Sequence, residues 1–511
     1  MILSQHKRLF RLSLLMLCLQ LSLQVVSGQK GTIIEILNAD LTEYDELQIG
    51  NDATKLIGNV RLKHEDVVMT CDSAYFYQST SSVDAFSNVR VQQGDTLTLT
   101  GDRAYYNGIS KIARVRNNVE LVNKDITLLT DSLNYDRAAG FVYYFGGGIL
   151  TQEDSRLTSG RGRYILDSED FYFMDSVVIV NPDYTIHTDS MRYNTRQEIS
   201  YFSGPTEITG EERYIYCENG WYDMQQDISY VSDHAYMEEG GRILKGDSLY
   251  YEAEQGFGRA ISNVEIIDTA QNMILKGNYG LYYSDQETAM VTDSALMIQV
   301  DGSDTMYVHA DTLRSMQNPD MEEQSRILRA YYKVKIFRTD LQVMCDSLVY
   351  VEADSAFDFF GEPVIWSDEN QLTASHIRIY MVDQQLERMQ LNGVAFVASQ
   401  KDSVSFDQMR GKEMTGYFKE NKLDRILVKG NGQTIYYATD KDVIVGANKT
   451  VASDLTIYLK ENKISSVVYI SKPDGTYYPL SLFPAEEGRL SDFKWLEAWR
   501  PLSWEDIFIW K

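Results

Sequence analysis

Four cysteines and six histidines in 511 residues leave little of the side-chain chemistry on which most catalytic and metal sites depend. The histidines (His6, His64, His187, His234, His309 and His376) are scattered, and His6 falls in an N-terminal leader. There is no Gly-x-Ser-x-Gly elbow, no His-Glu-x-x-His helix and no phosphate-binding glycine loop. The chain therefore reads as a non-enzyme, with no cofactor and no metal expected. Apart from Cys18 in the leader, Cys71, Cys217 and Cys345 lie in widely separated repeats, beyond the few ångströms a disulfide can span. They read as small core residues. After the leader no apolar run approaches the roughly 20 residues of a spanning helix. Tryptophan is scarce until the end, where four of six fall in the last 17 residues.

Positive charge is also in deficit. The formal net charge is −26, and removing residues 1–28, which hold Lys7, Arg8 and Arg11 but no acid, leaves −29. Such acidity disfavours nucleic acid and anionic membrane surfaces as partners. The leader itself has a basic start, an apolar run from Leu12 to Leu23, and Val26-Ser27-Gly28 before Gln29, which together describe a secretory signal peptide over 1–28. The run is short for a membrane anchor, and Cys18 follows Leu17 rather than a small residue, against lipidation.

What is present in quantity is a repeat. Anchored on the acid of Leu97-Thr98-Leu99-Thr100-Gly101-Asp102-Arg103-Ala104-Tyr105-Tyr106, equivalent positions are Asp72, Asp102, Asp131, Gly160, Asp189, Glu218, Asp247, Asn278, Asp311, Asp346, His376, Lys412 and Asp454. The first intervals are 30 and then 29 residues, and later ones loosen to between 30 and 42. A fixed period of that size marks a repeat architecture. One residue before the anchor all 13 copies are small; three before it 12 of 13 are apolar; four after it 11 of 13 are aromatic. Because successive strand side chains alternate, both apolar pairs face inward only if the chain bends or bulges at the anchor. The acids thus read as corner residues, although a ladder of carboxylates for calcium or acid–base work is the tempting alternative. Turn-and-strand units such as Gly58-Asn59-Val60-Arg61-Leu62, Ser87-Asn88-Val89-Arg90-Val91, Asn117-Asn118-Val119-Glu120-Leu121 and Ser262-Asn263-Val264-Glu265-Ile266 open each copy, giving two or three short strands per repeat. The fold class is all-β, an elongated repeat stack.

The tightest repeats occupy 29–204, further β-repeats continue over 205–310, and divergent ones run over 311–470. Asn318-Pro319-Asp320 with following acids predicts a short helical insertion near 318–327, either a joint or a surface excursion. The Trp-rich 471–511 reads as a terminal cap, with docking onto a partner or membrane surface as the alternative.

The units Gly58-Asn59-Val60-Arg61-Leu62 with Cys71-Asp72-Ser73-Ala74-Tyr75, and the run Leu97 to Tyr106, resemble the OstA/LptA family of periplasmic lipopolysaccharide-transport proteins, best over about Thr32 to Tyr201. The resemblance implies an open, twisted β-jellyroll whose apolar interior holds lipid A acyl chains. It implies no catalysis and a periplasmic location, free or attached to the outer membrane. The partners it implies are lipopolysaccharide and other transport jellyrolls joined by strand-edge pairing. Met69, Leu99, Leu128, Leu157, Ile186, Ile215, Leu244, Tyr106, Tyr135 and Tyr193 would line that interior, and Arg103, Arg114 and Arg161 are candidates for headgroup contact. Two features depart from the family: the chain is much longer than a single-domain carrier, and its acidity suits phosphorylated lipid poorly. The same columns would equally build a closed core. An exported β-helix or solenoid, structural or acting on polysaccharide, is therefore the rival reading.

Overall fold

The computed structural model describes residues 33–44 and 52–510, apart from 96, 124–125, 153, 212, 224, 253, 270–271, 284–287, 302–303, 319–324, 383–384, 421, 442 and 461–462. The expected signal peptide lies outside the described residues, as does most of the insertion expected near 318–327. At its edges Asn318 N–H donates to Ser325 O at 2.8 Å, and Arg326 and Ile327 already belong to a strand. Among the described residues every long element is a β-strand, and the only helical pieces are short 3-10 turns after Pro479. No helix there is long and apolar enough to cross a membrane.

The chain divides into two units between Pro182 and Asp183. Unit 1 holds β1 (Glu35–Asn38), β2 (Leu41–Glu43), β3 (Ala53–His64), β4 (Val67–Tyr77), β5 (Ser82–Gln93) and β6 (Leu97–Asn107). It continues with β7 (Ile112–Asn123), β8 (Ile126–Asp136), β9 (Phe141–Gln152), β10 (Ser155–Ile165) and β11 (Asp170–Val180). Unit 2 begins with β12 (Tyr184–Asn194), β13 (Ile199–Gly210), β14 (Arg213–Asp223), β15 (Ile228–Glu239), β16 (Arg242–Glu252) and β17 (Phe257–Asp268). Next come β18 (Met273–Tyr283), β19 (Thr288–Asp301), β20 (Asp304–Gln317), β21 (Arg326–Arg338) and β22 (Leu341–Val351). Two bent strands are then split in half, as β23 (Ala356–Phe360) with β24 (Val364–Ser367), and β25 (Asn370–Thr373) with β26 (His376–Val382). The last are β27 (Gln385–Gln400), β28 (Phe406–Lys419), β29 (Lys422–Asp440), β30 (Val443–Lys460), β31 (Lys463–Ile470) and β32 (Asp474–Pro479).

Within each unit the long consecutive strands pair antiparallel, while β1 and β2 both pair with β3, the half-strands β23 and β24 both pair with β22, and β31 and β32 both pair with β30; nearly every long strand bends once near its middle. A repeat is therefore two long bent strands, not two or three short ones. The bend has a specific cause. From the pair Phe86/Arg103 to the pair Val89/Gly101, β5 carries one residue more than β6, a β-bulge. Its two extra-wide residues, Ser87 and Asn88, both sit in the left-handed region, as do Asn117 and Asn118, Ser262 and Asn263, and Gly430 and Asn431. Asn tolerates that conformation better than most residues. The Asn-Val units are thus corner bulges inside long strands, and the chain continues through them instead of starting there.

Opposite each bulge stands an anchor acid. Asn88 Nδ2 donates to Asp72 Oδ2 at 2.8 Å, Asn118 Nδ2 to Asp102 Oδ2 at 2.7 Å, and Asn263 Nδ2 to both Asp247 oxygens at 3.0 Å. The ladder of acids is a row of corner staples. The small column before the anchor has an equally local origin. A Cβ on Gly101, Gly277 or Gly411 would collide with Val115, Val291 or Val428 on the following strand. Cys71, Cys217 and Cys345 fill the same column, buried and free; burial pushes the Cys71 and Cys217 thiols up to about 11 and about 12.

Two half-sheets meet at the row of corners and face each other across an apolar interior. In unit 1 that core includes Val83, Ala85 and Ala104 from one half-sheet and Leu62, Val89 and Leu99 from the other. Unit 2 carries an additional apolar layer on its outside. Residues 480–510 run back along the outer face of the half-sheet that precedes the corners, over Gln408, Gln371, Gln342 and Tyr307 in turn. Gln408 Nε2 donates to Gly488 O (2.9 Å) while its Oε1 accepts from Leu490 N–H (2.9 Å). Gln371 makes the same pair with Lys494 O (2.7 Å) and Leu496 N–H (2.6 Å). Between those clamps Phe396, Ala398, Ile435, Tyr437 and Ala447 are buried with Leu490 and packed against Phe483, Phe493 and Trp495. The Trp-rich tail therefore clads one face of unit 2.

Candidate functional site

The interior floor of unit 1 is a single row in register. Following the strand pairings, Leu62, Met69, Val91, Leu99, Leu121, Leu128, Leu150, Leu157 and Ile179 stand opposite one another from β3 to β11. At about 4.8 Å per strand the row extends for roughly 38 Å. Unit 2 has its own, from Ile186 through Ile208, Ile215, Met237 and Leu244, and on by successive pairings to Met409. Met69, Leu99, Leu128, Leu157 and Ile186 are buried, whereas Ile215 and Leu244 are partly buried against the core around Cys217 and Val231.

Tyr106, Tyr135 and Tyr193 point inward one residue before their strands end and are partly exposed. They stand where the two half-sheets' free edges approach. Burial pushes the Tyr106 hydroxyl above its ordinary pKa, and it shares a 2.6 Å hydrogen bond with Nδ1 of His64 on the opposite edge. The edges of unit 1 are also joined by charge. Glu65 and Asp66, in the β3–β4 turn, meet Lys111 in the β6–β7 turn and Arg137 in the β8–β9 turn. Lys111 Nζ is 3.0 Å from Glu65 Oε1, Arg137 Nη1 is 2.8 Å from Glu65 Oε2, and Arg137 Nη2 pairs with Asp66. The Gln93 amide, aided by Arg137, holds the Asp66 carboxyl below its usual value against the opposing effect of desolvation. These contacts form a clasp across the mouth of the interior. Deeper in, buried Tyr144 occupies space left by two glycines, since a Cβ on Gly148 or Gly162 would collide with its ring, and its hydroxyl is 2.5 Å from Ser159 Oγ.

The three candidate headgroup arginines are not together. Arg103 and Arg114 lie on the outer face, on the opposite side of their strands from buried Ala104 and Val115. They share a shallow pocket of about 380 Å³ there. Arg161 stands at a corner and grips Asp175 with both its Nε and Nη2.

Half of each floor row was visible in the sequence as the apolar column three before the anchor. The other half, Leu62, Val91 and Leu121, ends each Asn-Val-x-aliphatic unit and carries the same period, so the signal was there to use. The clasp has no such signal, because its partners are 46 to 72 residues apart in turns that only the bent stack brings together.

A family model described as OstA-like protein matches residues 31–189. No curated protein matches the chain. Residues 31–189 are thus similar to the OstA-like family, which is tied to lipopolysaccharide transport and binding.

Proposed function

We propose that this protein is an exported, non-enzymatic carrier that takes lipopolysaccharide acyl chains into its apolar interior and passes the lipid toward the outer membrane. The observation that supports it is the floor row: nine consecutive strands of unit 1 each contribute an aliphatic side chain in register. A run of that length, without a polar residue to define a subsite, suits a chain of methylenes better than a compact ligand. Burying one acyl chain is worth on the order of 10 kcal/mol, at about 0.8 kcal/mol per methylene. The clasp across the mouth is three partly exposed ion pairs, each worth about 0–1 kcal/mol. Acyl burial therefore exceeds what the clasp can oppose, and the edges part for the lipid. Sheet edges supply the means of joining neighbours: among the described residues β1 and β2 pair only with β3, and β31 and β32 only with β30. Leu41 and Ile36 at the first edge, and Val468 and Tyr477 at the second, are exposed, as strand addition requires.

The rival reading, an exported structural or polysaccharide-directed β-stack, draws on one observation. The inward aliphatics already pack on one another, with Leu99, Ala104 and Val115 each under 5% exposed. A photo-crosslinker placed in turn at Leu99, Leu128, Ile186 and exposed Asp102 separates the two. Lipopolysaccharide crosslinks from the three aliphatic positions, competed by lipid A and absent at Asp102, are the expected result. No crosslink from any interior position, in protein with native-like circular dichroism, would overturn the carrier.

A further inference from the structure

On the outer face of unit 1, beyond the corners, aromatic and basic side chains alternate across the strands. The pairings run Asp84, Tyr105, Arg114, Asn134, Tyr143 and Arg163 from β5 to β10. Beside that row lie Phe86, Arg103 and Arg116, also in register. Each guanidinium rests on a ring: Arg103 on Phe86 at 5.0 Å, Arg114 on Tyr105 at 5.8 Å, Arg116 on Phe145 at 5.4 Å and Arg163 on Phe141 at 4.0 Å. Arg116 is held further by Val115 O, Leu133 O and Asn134 Oδ1 at 2.8–3.0 Å. Four arginines share this face with two carboxylates, Asp84, 3.6 Å from Arg103, and Asp136, whose Oδ1 accepts from the Ala139 N–H in its own turn. The patch is thus locally positive on a chain of net charge −26. It is also indented, the pocket of about 380 Å³ lying between Asp84, Arg103, Tyr105, Asn107, Ser110 and Arg114.

We propose that this face binds an anionic oligosaccharide laid across the strands, with its phosphate or carboxylate groups on the guanidiniums and its sugar rings on the aromatic planes. The inference does not rest on the carrier reading, because the face is on the opposite side of the strands from the interior. A guanidinium pre-oriented on a ring presents its fork to an anion bidentately and loses little freedom in doing so. Pyranose C–H groups carry partial positive charge and pack on electron-rich aromatic faces; exposed Tyr143, which carries none of the four guanidiniums, offers such a face. From β5 to β10 the track is roughly 24 Å at 4.8 Å per strand, room for several sugars. At the pocket rim the Ser110 side chain offers a hydroxyl, while the Asn107 amide is engaged by the Ile109 and Ser110 N–H groups and the Tyr105 hydroxyl. A neutral glycan would leave the arginines without an anionic partner.

The same chemistry is found in the sugar region of lipopolysaccharide and in free uronic-acid polymers, so the test uses both. The purified full-length mature chain is titrated with delipidated, phosphorylated core oligosaccharide, with oligogalacturonate and with neutral maltoheptaose, following heat and tyrosine fluorescence. Saturable binding of one or both anionic probes, at least tenfold tighter than maltoheptaose, is expected. Binding of the phosphorylated core alone points to lipopolysaccharide as the source, and binding of both points to anionic glycans at large. R114Q/R163Q should weaken it at least tenfold and flatten its salt dependence, Y105A/Y143A should weaken it with the salt slope kept, and R338Q in unit 2 should leave it unchanged. Circular dichroism and a thermal melt verify that each variant is folded. Absence of binding by both anionic probes, equal binding of maltoheptaose, or affinity indifferent to R114Q/R163Q would overturn the proposal. Interior crosslinks from Leu99 are a separate readout, so this failure and that of the carrier are told apart.

Discussion

The corner acids show what a single residue does here. Asp102 is exposed, and its work is to accept from Asn118 across a bulge of two left-handed residues. Asn118→Ala removes that donor and also places a poorer residue in the left-handed region. The expected loss is about 1–2 kcal/mol, from one hydrogen bond and the conformational preference together, measured as a lower urea midpoint with an unchanged slope. Asn118→Gly should recover most of the conformational share and not the bond. If Ala and Gly variants unfold like the parent, the staple contributes nothing. The acid's corner role was legible, because alternation before and after it could be reconciled only by a bend. Its partner was not. Asn88 and Asn118 follow their acids by 16 residues, a distance set by one hairpin's length, and nothing in either local segment announces the pairing. Gly101 is a middle case: the column of small residues was plain, but the reason, Val115 pressed against it, needed the neighbouring strand.

At the scale of elements, the regular strands followed from period-2 alternation, and the reading failed where a second layer covers the outer face. In Val364-Ile365-Trp366 all three side chains are buried, Ile365 toward the interior and Trp366 in register between Gln342 and Gln371 beneath the tail. No local pattern reveals that residues more than 100 positions later will lie there. The two glutamines act as strand substitutes, since each offers an amide donor and acceptor to backbone groups two residues apart. Removing one leaves buried backbone groups without partners, at about 1–3 kcal/mol per group. Q371A/Q408A should therefore loosen residues 480–510 ahead of the strands. Hydrogen exchange in that segment is expected to accelerate by at least tenfold, with acrylamide quenching of tryptophan increased, while strand amides around Leu99 keep their protection. Uniform acceleration across unit 2 would show that the tail and its sheet unfold together, and unchanged exchange would show that the apolar contacts of Phe493 and Trp495 suffice alone.

For the molecule as a whole, the proposed carrier function requires an interior that is packed and clasped to admit a lipid. The strands cannot lengthen, because both half-sheets are hydrogen-bonded throughout, so the compliant coordinate is the angle at the row of corners. Opening there costs the ion pairs of Glu65, Asp66, Lys111 and Arg137 and the His64–Tyr106 bond before any acyl contact forms. The acidic partner sets the pH response. Asp66 is depressed below its ordinary value of 3.8, so its contribution is present above that pH and is lost as pH falls through the lower folded value. E65Q/R137Q removes the Glu65 pairs and the Arg137–Asp66 pair at neutral pH. If together these contribute about 1.4 kcal/mol, the open population rises about tenfold. Lipopolysaccharide crosslinking from Leu99 should rise with it, and exchange of amides flanking the β3–β4 and β6–β7 turns should accelerate without lipid present. The part of the difference between parent and variant that Asp66 carries should shrink only below pH 3.8, where its pairing with Arg137 is lost. Faster exchange with unaltered crosslinking would mean that the mouth opens without serving the lipid; neither change would mean that the clasp is ornamental and access is through a sheet end.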